Sequence, residues 1–148
     1  MLLITMTESN KIIYTLGTNR RTEEDFIEIL NAYGIERLID VRRFPTSKFP
    51  HFKKETLEML LKDNGIEYFF LGEELGGYRR GGYEEYVLTE QFGSGLDRLI
   101  RLSEAKRSVI ICAERFPWKC HRKWIARELS KRGWKVIHII DKGKEWIP

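Results

Sequence analysis

Five short, almost uninterrupted apolar runs recur along this chain, and between them the apolar residues switch to helical spacing. The runs are KIIYTLG at 11–17, RLIDVR at 37–42, IEYFFL at 66–71, SVIICA at 108–113 and KVIHII at 135–140. A strand that is apolar on both faces must be covered on both faces, which is the condition of a parallel sheet between two helical layers. The intervening segments supply the covers. Thr22 is followed by an acid three residues on, as in a capping box, and Phe26, Ile29, Leu30 and Tyr33 then hold helical spacing up to a stop at Gly34. Leu57, Leu60 and Leu61 mark the inner face of a second helix over 53–64. A helical region over 84–105, interrupted near Gly93 and Gly95, follows, and Ile125 with Leu129 marks the buried face of a last helix after Pro117. The segments RFPTSKFPHF and GEELGGYRRGGY read as loops because of their prolines and glycines. The expected fold is therefore α/β, a single domain over 1–148 with a three-layer Rossmann-like or flavodoxin-like arrangement, a mostly parallel sheet, and KVIHII as the last strand.

A chain of 148 residues is long enough for one such core. No apolar stretch reaches membrane-spanning length, and the opening MLLITMTESN lacks the pattern of a signal peptide, so a cytoplasmic protein with no membrane partner is expected. Two cysteines make no disulfide framework and read as free thiols or ligands in a reducing compartment. The net charge of +4 favours anionic partners, nucleotides and nucleic acids among them.

Right-handed crossovers would bring the C-terminal ends of the parallel strands to one edge, where open sheets of this kind bind ligands. The first run delivers Gly17, Thr18, Asn19 and Arg20 there, the second Asp40 and Arg42, the third Gly72, Gly76, Gly77 and Arg79, and the fourth Cys112 and Glu114. Asp40 stands among Leu38, Ile39 and Val41 and needs a partner; Arg42 shares its face two residues later. That pair reads either as a structural ion pair holding the proline loop or as part of a ligand or catalytic site. Glu114 shares strand parity with Cys112, so acid and thiol could act together or ligate a metal.

One turn before Ile125 lie His121 and Arg122, which should point inward over the strand ends, where the helix dipole favours an anion. If helical geometry already holds at Cys120, it falls on the other side with Trp124 and Arg127, which makes a Cys112–Cys120 pairing less natural without excluding it, since a helix start can shift by a residue or two. Nearby cations and a helix N-terminus would nonetheless activate either thiol. A divalent metal is compatible with the acids at this edge. Zinc fits less well: Cys112, Cys120 and His121 with an acid could supply four ligands, but their spacing matches no common zinc knuckle. RRFPTSKFPHF and GGYRRGGY mix cations with aromatics, a combination that can hold phosphates and stack on bases. There is no Walker pattern, dinucleotide fingerprint or Gly-x-Ser-x-Gly elbow, and Trp118 occupies the position where a thiol phosphatase loop starting at Cys112 would need arginine.

Taken together, YTLGTNR, LIDVRRFPTSKFPHF, GIEYFFLGEELGGYR and IICAERFPWKCHRKWIARELSKRGWKVIHI resemble the domain-of-unknown-function 488 family in the same order along nearly the whole chain. The resemblance implies a compact α/β domain and marks Asp40, Arg42, Pro45, Gly76, Gly77, Arg79, Cys112, Glu114, Cys120, His121 and Arg122 as motif positions. Many members carry Gly-His-Ser after the first strand; here Gly17, Thr18 and Asn19 stand there, which leaves His121 as the histidine at the edge, with His51 in the proline loop and His138 in the last strand.

The leading expectation is an enzyme, hydrolase or otherwise, acting on a phosphate-bearing substrate such as a nucleotide or nucleic acid. Asp40, Glu114 and His121 would move protons, while Arg42, Arg79 and Arg122, with Thr18, Asn19, Gly76 and Gly77, would hold the anion. The alternatives are a non-catalytic nucleic-acid-binding module and a thiol enzyme using Cys120 or Cys112.

Overall fold

The computed structural model describes residues 11–148. Helix α1 (Glu23–Ala32) starts where its sequence requires, with the Asp25 N–H donating to the Thr22 hydroxyl at 3.1 Å, and it links β1 (Ile12–Gly17) to β2 (Arg37–Asp40). A 3-10 turn at Pro50–Phe52 leads into α2 (Lys54–Asp63) and β3 (Glu67–Phe70). Two one-turn helices follow, α3 (Gly72–Leu75) and α4 (Tyr83–Tyr86), before the long α5 (Glu90–Ala105) and β4 (Ser108–Cys112). A second 3-10 turn, Pro117–Lys119, precedes α6 (Arg122–Lys131), β5 (Lys135–Asp141) and β6 (Lys144–Trp146).

The strands form one sheet in the order β3-β2-β4-β1-β5-β6, with β6 antiparallel to β5 and every other pairing parallel. The architecture is the expected Rossmann-like α/β sandwich. Alternate residues of the inner strands build separate cores on the two faces, as strand geometry demands. Ile13, Ile39, Ile110 and Val136 pack with Leu96 and Leu99 of α5 and Ile125 and Leu129 of α6. Leu16, Leu38, Val109 and Ile111 pack with Phe26 and Ile29 of α1 and Leu57 and Leu61 of α2.

The structure departs from the sequence reading in four places. The glycine-rich segment after β3 opens with α3 rather than being loop alone, and α4 begins at its last residue, Tyr83. Helix α5 runs unbroken through Gly93 and Gly95, and Gly95 lets α3 approach so closely that a Cβ there would strike Glu74 and Leu75. Leu60 is only half-buried, because the apolar stripe of α2 centres on Leu57 and Leu61. KVIHII is not the last strand; the exposed three-residue β6 adds to the sheet edge, and its sequence KEW carries no apolar pattern to announce it.

Gly17, where β1 ends, lies so near the turn after β4 that a Cβ would collide with the Glu114 carbonyl. Gly93, in α5, would meet nothing. Gly17→Ala should therefore cost about 2–3 kcal/mol in urea unfolding, whereas Gly93→Ala should stabilise by about 0.5–1 kcal/mol. Equal effects would contradict the close approach of β1 to that turn.

Candidate active site

The site is assembled where β4 leaves the sheet. After Cys112 the chain turns outward, passes the 3-10 turn at Pro117–Lys119 and returns with Cys120 extended (φ −142°, ψ 175°) before α6 begins at Arg122. This irregular path overturns the expectation for the two cysteines. Cys120 is not on the first helical turn, and its sulfur comes back to 3.0 Å from the Cys112 sulfur, with both cysteines free. The Cys120 sulfur also accepts from the Arg122 backbone N–H at 3.3 Å and from Arg122 Nε at 3.2 Å, so it sits against the N-terminus of α6 as a capping group would.

Arg122 is the largest fully buried side chain, 1% exposed, and among the described residues no carboxylate touches it. Its Nη1 donates to the Thr15 hydroxyl at 3.0 Å, and its Nη2 donates to the carbonyls of Glu114 at 2.6 Å and Arg115 at 3.3 Å. Burial opposes its charge, and the Cys112 and Cys120 sulfurs outweigh burial and hold it ionised above its ordinary range. The reciprocal effect acts on the thiols. For Cys120 the hydrogen bond from Cys112 acts most strongly, burial works against it, and Arg122 adds to the lowering, so that its thiol is pulled down to about 6. Burial and the neighbouring sulfur push Cys112 the other way. Of the two, Cys120 is therefore the sulfur that ionises more readily and Cys112 the one that holds its proton.

The Thr15 hydroxyl, which accepts from Arg122, also hydrogen-bonds with His138 Nδ1 at 2.6 Å. Burial keeps His138 neutral, with its pKa lowered to about 4. His121 is likewise lowered to about 4, chiefly by burial. Its Nε2 lies 2.9 Å from the Val41 carbonyl, which can only accept, so Nε2 carries the proton and Nδ1 is left as an acceptor on the Gly77 side.

These sulfurs open onto a cavity of about 550 Å³ bordered by Cys112, Glu114, Cys120, His121, Gly77 and Tyr83, among others. Its outer rim carries Phe44 and Tyr78, whose rings are 5.9 Å apart, and Trp118, which is stacked on Phe116. Tyr78 is 85% exposed and held in the left-handed region at φ 59°, a conformation that costs a non-glycine residue about 1–2 kcal/mol. Arg43 donates to the Tyr78 carbonyl at 2.8 Å and so helps hold that loop in place. Lys119 and Lys123 are exposed on the same wall.

The residues marked from sequence separate into groups. Asp40 and Arg42 face the other side of the sheet from Cys112. Asp40 Oδ1 accepts from Arg42 N at 3.1 Å and Nε at 2.9 Å, and its Oδ2 accepts from Arg42 Nη2 at 2.8 Å and the Tyr68 hydroxyl at 2.6 Å. The last guanidinium nitrogen donates to the Phe52 carbonyl at 2.7 Å. The pair is thus saturated and ties the proline loop to the sheet; Arg42 borders the cavity, Asp40 does not. Arg79 also borders it, but donates to the carbonyls of Gly76 and Glu73 and lies 3.9 Å from the Tyr86 ring centroid. Arg122 lies beneath the cavity floor. Thr18 and Asn19 are off the cavity wall, their N–H groups donating to the carbonyls of Cys112 and Ala113. Gly77 borders the cavity and Gly76 does not, while Glu114 is exposed on the wall. Among the described residues, no three His, Cys, Asp or Glu side chains converge as metal ligands.

Sequence reasoning missed Thr15, Arg43, Tyr83 and Lys123, and it placed His138 in the last strand without its Thr15 partner. Arg43 was legible by parity, since it stands opposite Arg42 and therefore on the Cys112 side. Thr15 and His138 sit inside apolar runs, where only strand pairing could reveal that they lie side by side.

A family model described as "Domain of unknown function DUF488" matches residues 22–129. That stretch includes Cys112, Cys120 and Arg122, whereas Thr15 and His138 lie outside it. No curated protein and no solved structure matches the chain.

Two measurements follow from the titrating groups. Alkylation of Cys120 by iodoacetamide should rise to half its maximal rate near pH 6, the value its surroundings impose, and Arg122→Met should move that midpoint up by at least one unit. A wild-type midpoint near pH 9 would eliminate the thiolate. Stability should also fall with acidity. Folded Cys120 takes up its proton near pH 6 instead of 9, and folded His121 and His138 near 4 instead of 6.5. The unfolded chain therefore binds more protons across these windows, and the stabilisation present above them is lost as pH falls. Thermal midpoints should drop steadily from pH 8 to pH 4, and Cys120→Ser should flatten the portion between pH 8 and pH 6.

Proposed function

The chain belongs to the DUF488 family, a domain of unknown function, and on that premise we propose that it is an enzyme whose nucleophile is the Cys120 thiolate. Its substrate is anionic and binds in the cavity above the two sulfurs. The observation that carries this reading is Arg122, a buried guanidinium whose only neighbour able to bear a negative charge, among the described residues, is the pair of sulfurs headed by Cys120. A buried charge without a counter-ion costs several kcal/mol, so the fold itself favours the ionised form of the thiol, which is the reactive one.

The chemistry divides into two displacements. The Cys120 sulfur bonds to the electrophilic atom as the leaving group departs with its bonding electrons, and an acceptor such as water then displaces the sulfur and restores the thiolate. In the covalent intermediate Arg122 has lost its counter-ion, which raises the energy of that state and favours its breakdown. Among the described residues Glu114 is the one aspartate or glutamate bordering the cavity, and it is suited to take the proton from the attacking acceptor. His121, neutral and hydrogen-bonded through Nε2, offers Nδ1 as an acceptor that orients the substrate. Lys119, Lys123 and the exposed aromatic rim favour an anion with a flat group, in keeping with nucleotides and other phosphate esters.

A panel of phosphate esters, thioesters and labelled oligonucleotides, followed by mass spectrometry of both protein and small products, tests this. Turnover should fall by roughly 10³-fold or more in Cys120→Ser, and an adduct should accumulate on Cys120 when Glu114→Gln slows the second displacement. Turnover that survives Cys120→Ser but vanishes in Glu114→Gln would replace the thiol mechanism with acid–base hydrolysis.

A further inference from the structure

A second cavity, of about 540 Å³, adjoins the first and shares Trp118 and Lys123 with it. Its wall is the exposed face of α6, where Lys123, Arg127 and Lys131 follow one another four residues apart. At 1.5 Å per residue this is a ladder of positive charge with a repeat of about 6 Å. Among the described residues no aspartate or glutamate borders this cavity, and of the three cations only Lys131 is ion-paired, at 3.0 Å with Glu128. Opposite the ladder stand aromatic planes. Trp118 is 45% exposed and Trp146 41% exposed; their rings meet edge to face at 5.3 Å, and Trp146 stacks on His138 at 26°. The two cavities thus form one path, which begins at Cys120, crosses Trp118 and continues along α6.

We propose that this path binds a single strand of nucleic acid, with phosphates along Lys123, Arg127 and Lys131 and bases packed against the exposed part of the Trp118–Trp146 pair, whose edge-to-face contact leaves one indole face open. A regular polyanion matches the ladder, and the exposed indole surface adds what an acidic peptide could not use. Bases inside a duplex are already stacked, so the aromatic wall selects an unpaired strand. This site is distinct from the two loops whose cations and aromatics stood out in the sequence, and its far half is built by β6. The proposal deepens the reading of Cys120 by naming a substrate class, and it rests on that reading only for what happens at the strand's end.

Fluorescence anisotropy with a labelled ten-nucleotide mixed-sequence strand, titrated with the full chain at several salt concentrations, tests the site. Wild type should bind the strand at least tenfold more tightly than the matching duplex or a ten-residue polyglutamate. In Lys123→Glu/Arg127→Glu, affinity should fall at least tenfold and the slope of log affinity against log salt should become shallower by about 1.4, at roughly 0.7 for each phosphate that is no longer neutralised. Trp146→Ala, which does not border the first cavity, should lose at least fivefold in strand binding, as removal of a stacking platform predicts, while its Cys120 alkylation rate stays within twofold. Strand binding is read without turnover, so a failure of the thiol mechanism leaves this test intact. Equal affinity for polyglutamate or duplex, or strand binding unchanged by both surface variants, would overturn the proposal.

Discussion

A guanidinium sealed from solvent with no carboxylate beside it is the constraint around which this site is built. Arg122 must be solvated by the protein, and the groups that do so come from three elements: the Thr15 hydroxyl of β1, the Glu114 and Arg115 carbonyls of the turn after β4, and the Cys120 sulfur before α6. Each demand shapes the chain. The turn has to aim two carbonyls inward, and Gly17 has to lack a side chain so that one of them can approach. Cys120 has to lie outside the helix so that its sulfur can cap it. Removing any one of these leaves a buried donor unpaired, at about 1–3 kcal/mol. The Cys120 sulfur that faces the cavity is therefore also one of the groups that solvate the buried guanidinium.

The sheet carries a second buried ionic centre on its opposite face, and comparing the two explains why only one is poised for chemistry. Asp40 receives hydrogen bonds from Arg42 and Tyr68 at both oxygens, and Arg42 passes the connection on to the proline loop. Both carboxylate oxygens are occupied and neither faces the cavity. The Cys120 sulfur has partners on the protein side and a cavity on the other. Saturation makes the first centre a fastener, and the open side makes the second a site. The loops above extend the contrast: Arg79 and Arg43 hold the segment after β3 by its carbonyls, and that segment in turn presents Tyr78 over the cavity mouth.

Much of this is legible in the residues alone. The apolar runs specify five parallel strands, Thr22 specifies the start of α1, and the accumulation of polar residues after the strands points to the edge of the sheet where the first cavity lies. Strand parity pairs Asp40 with Arg42. Helical extrapolation fails at Cys120, because a 3-10 turn and an extended residue intervene before Arg122, and irregular backbone has no period to extrapolate. Strand β6 is invisible for a related reason: three exposed residues at a sheet edge bury too little to leave a pattern.

By itself, then, the sequence determined the layers, the order of helix and strand, and the residues that face inward, because these depend on periodicities of 2 and 3.6 residues that are local to each segment. Tertiary structure alone decided which charges would meet. Thr15 and Arg122 are separated by 107 positions and His121 and Val41 by 80, and their contacts arise from strand order and from the path of an aperiodic turn. A side chain's ionisation is set by what surrounds it in space, so the thiolate at Cys120, the neutral histidines and the saturated Asp40 could be assigned only once the sheet had brought their neighbours together.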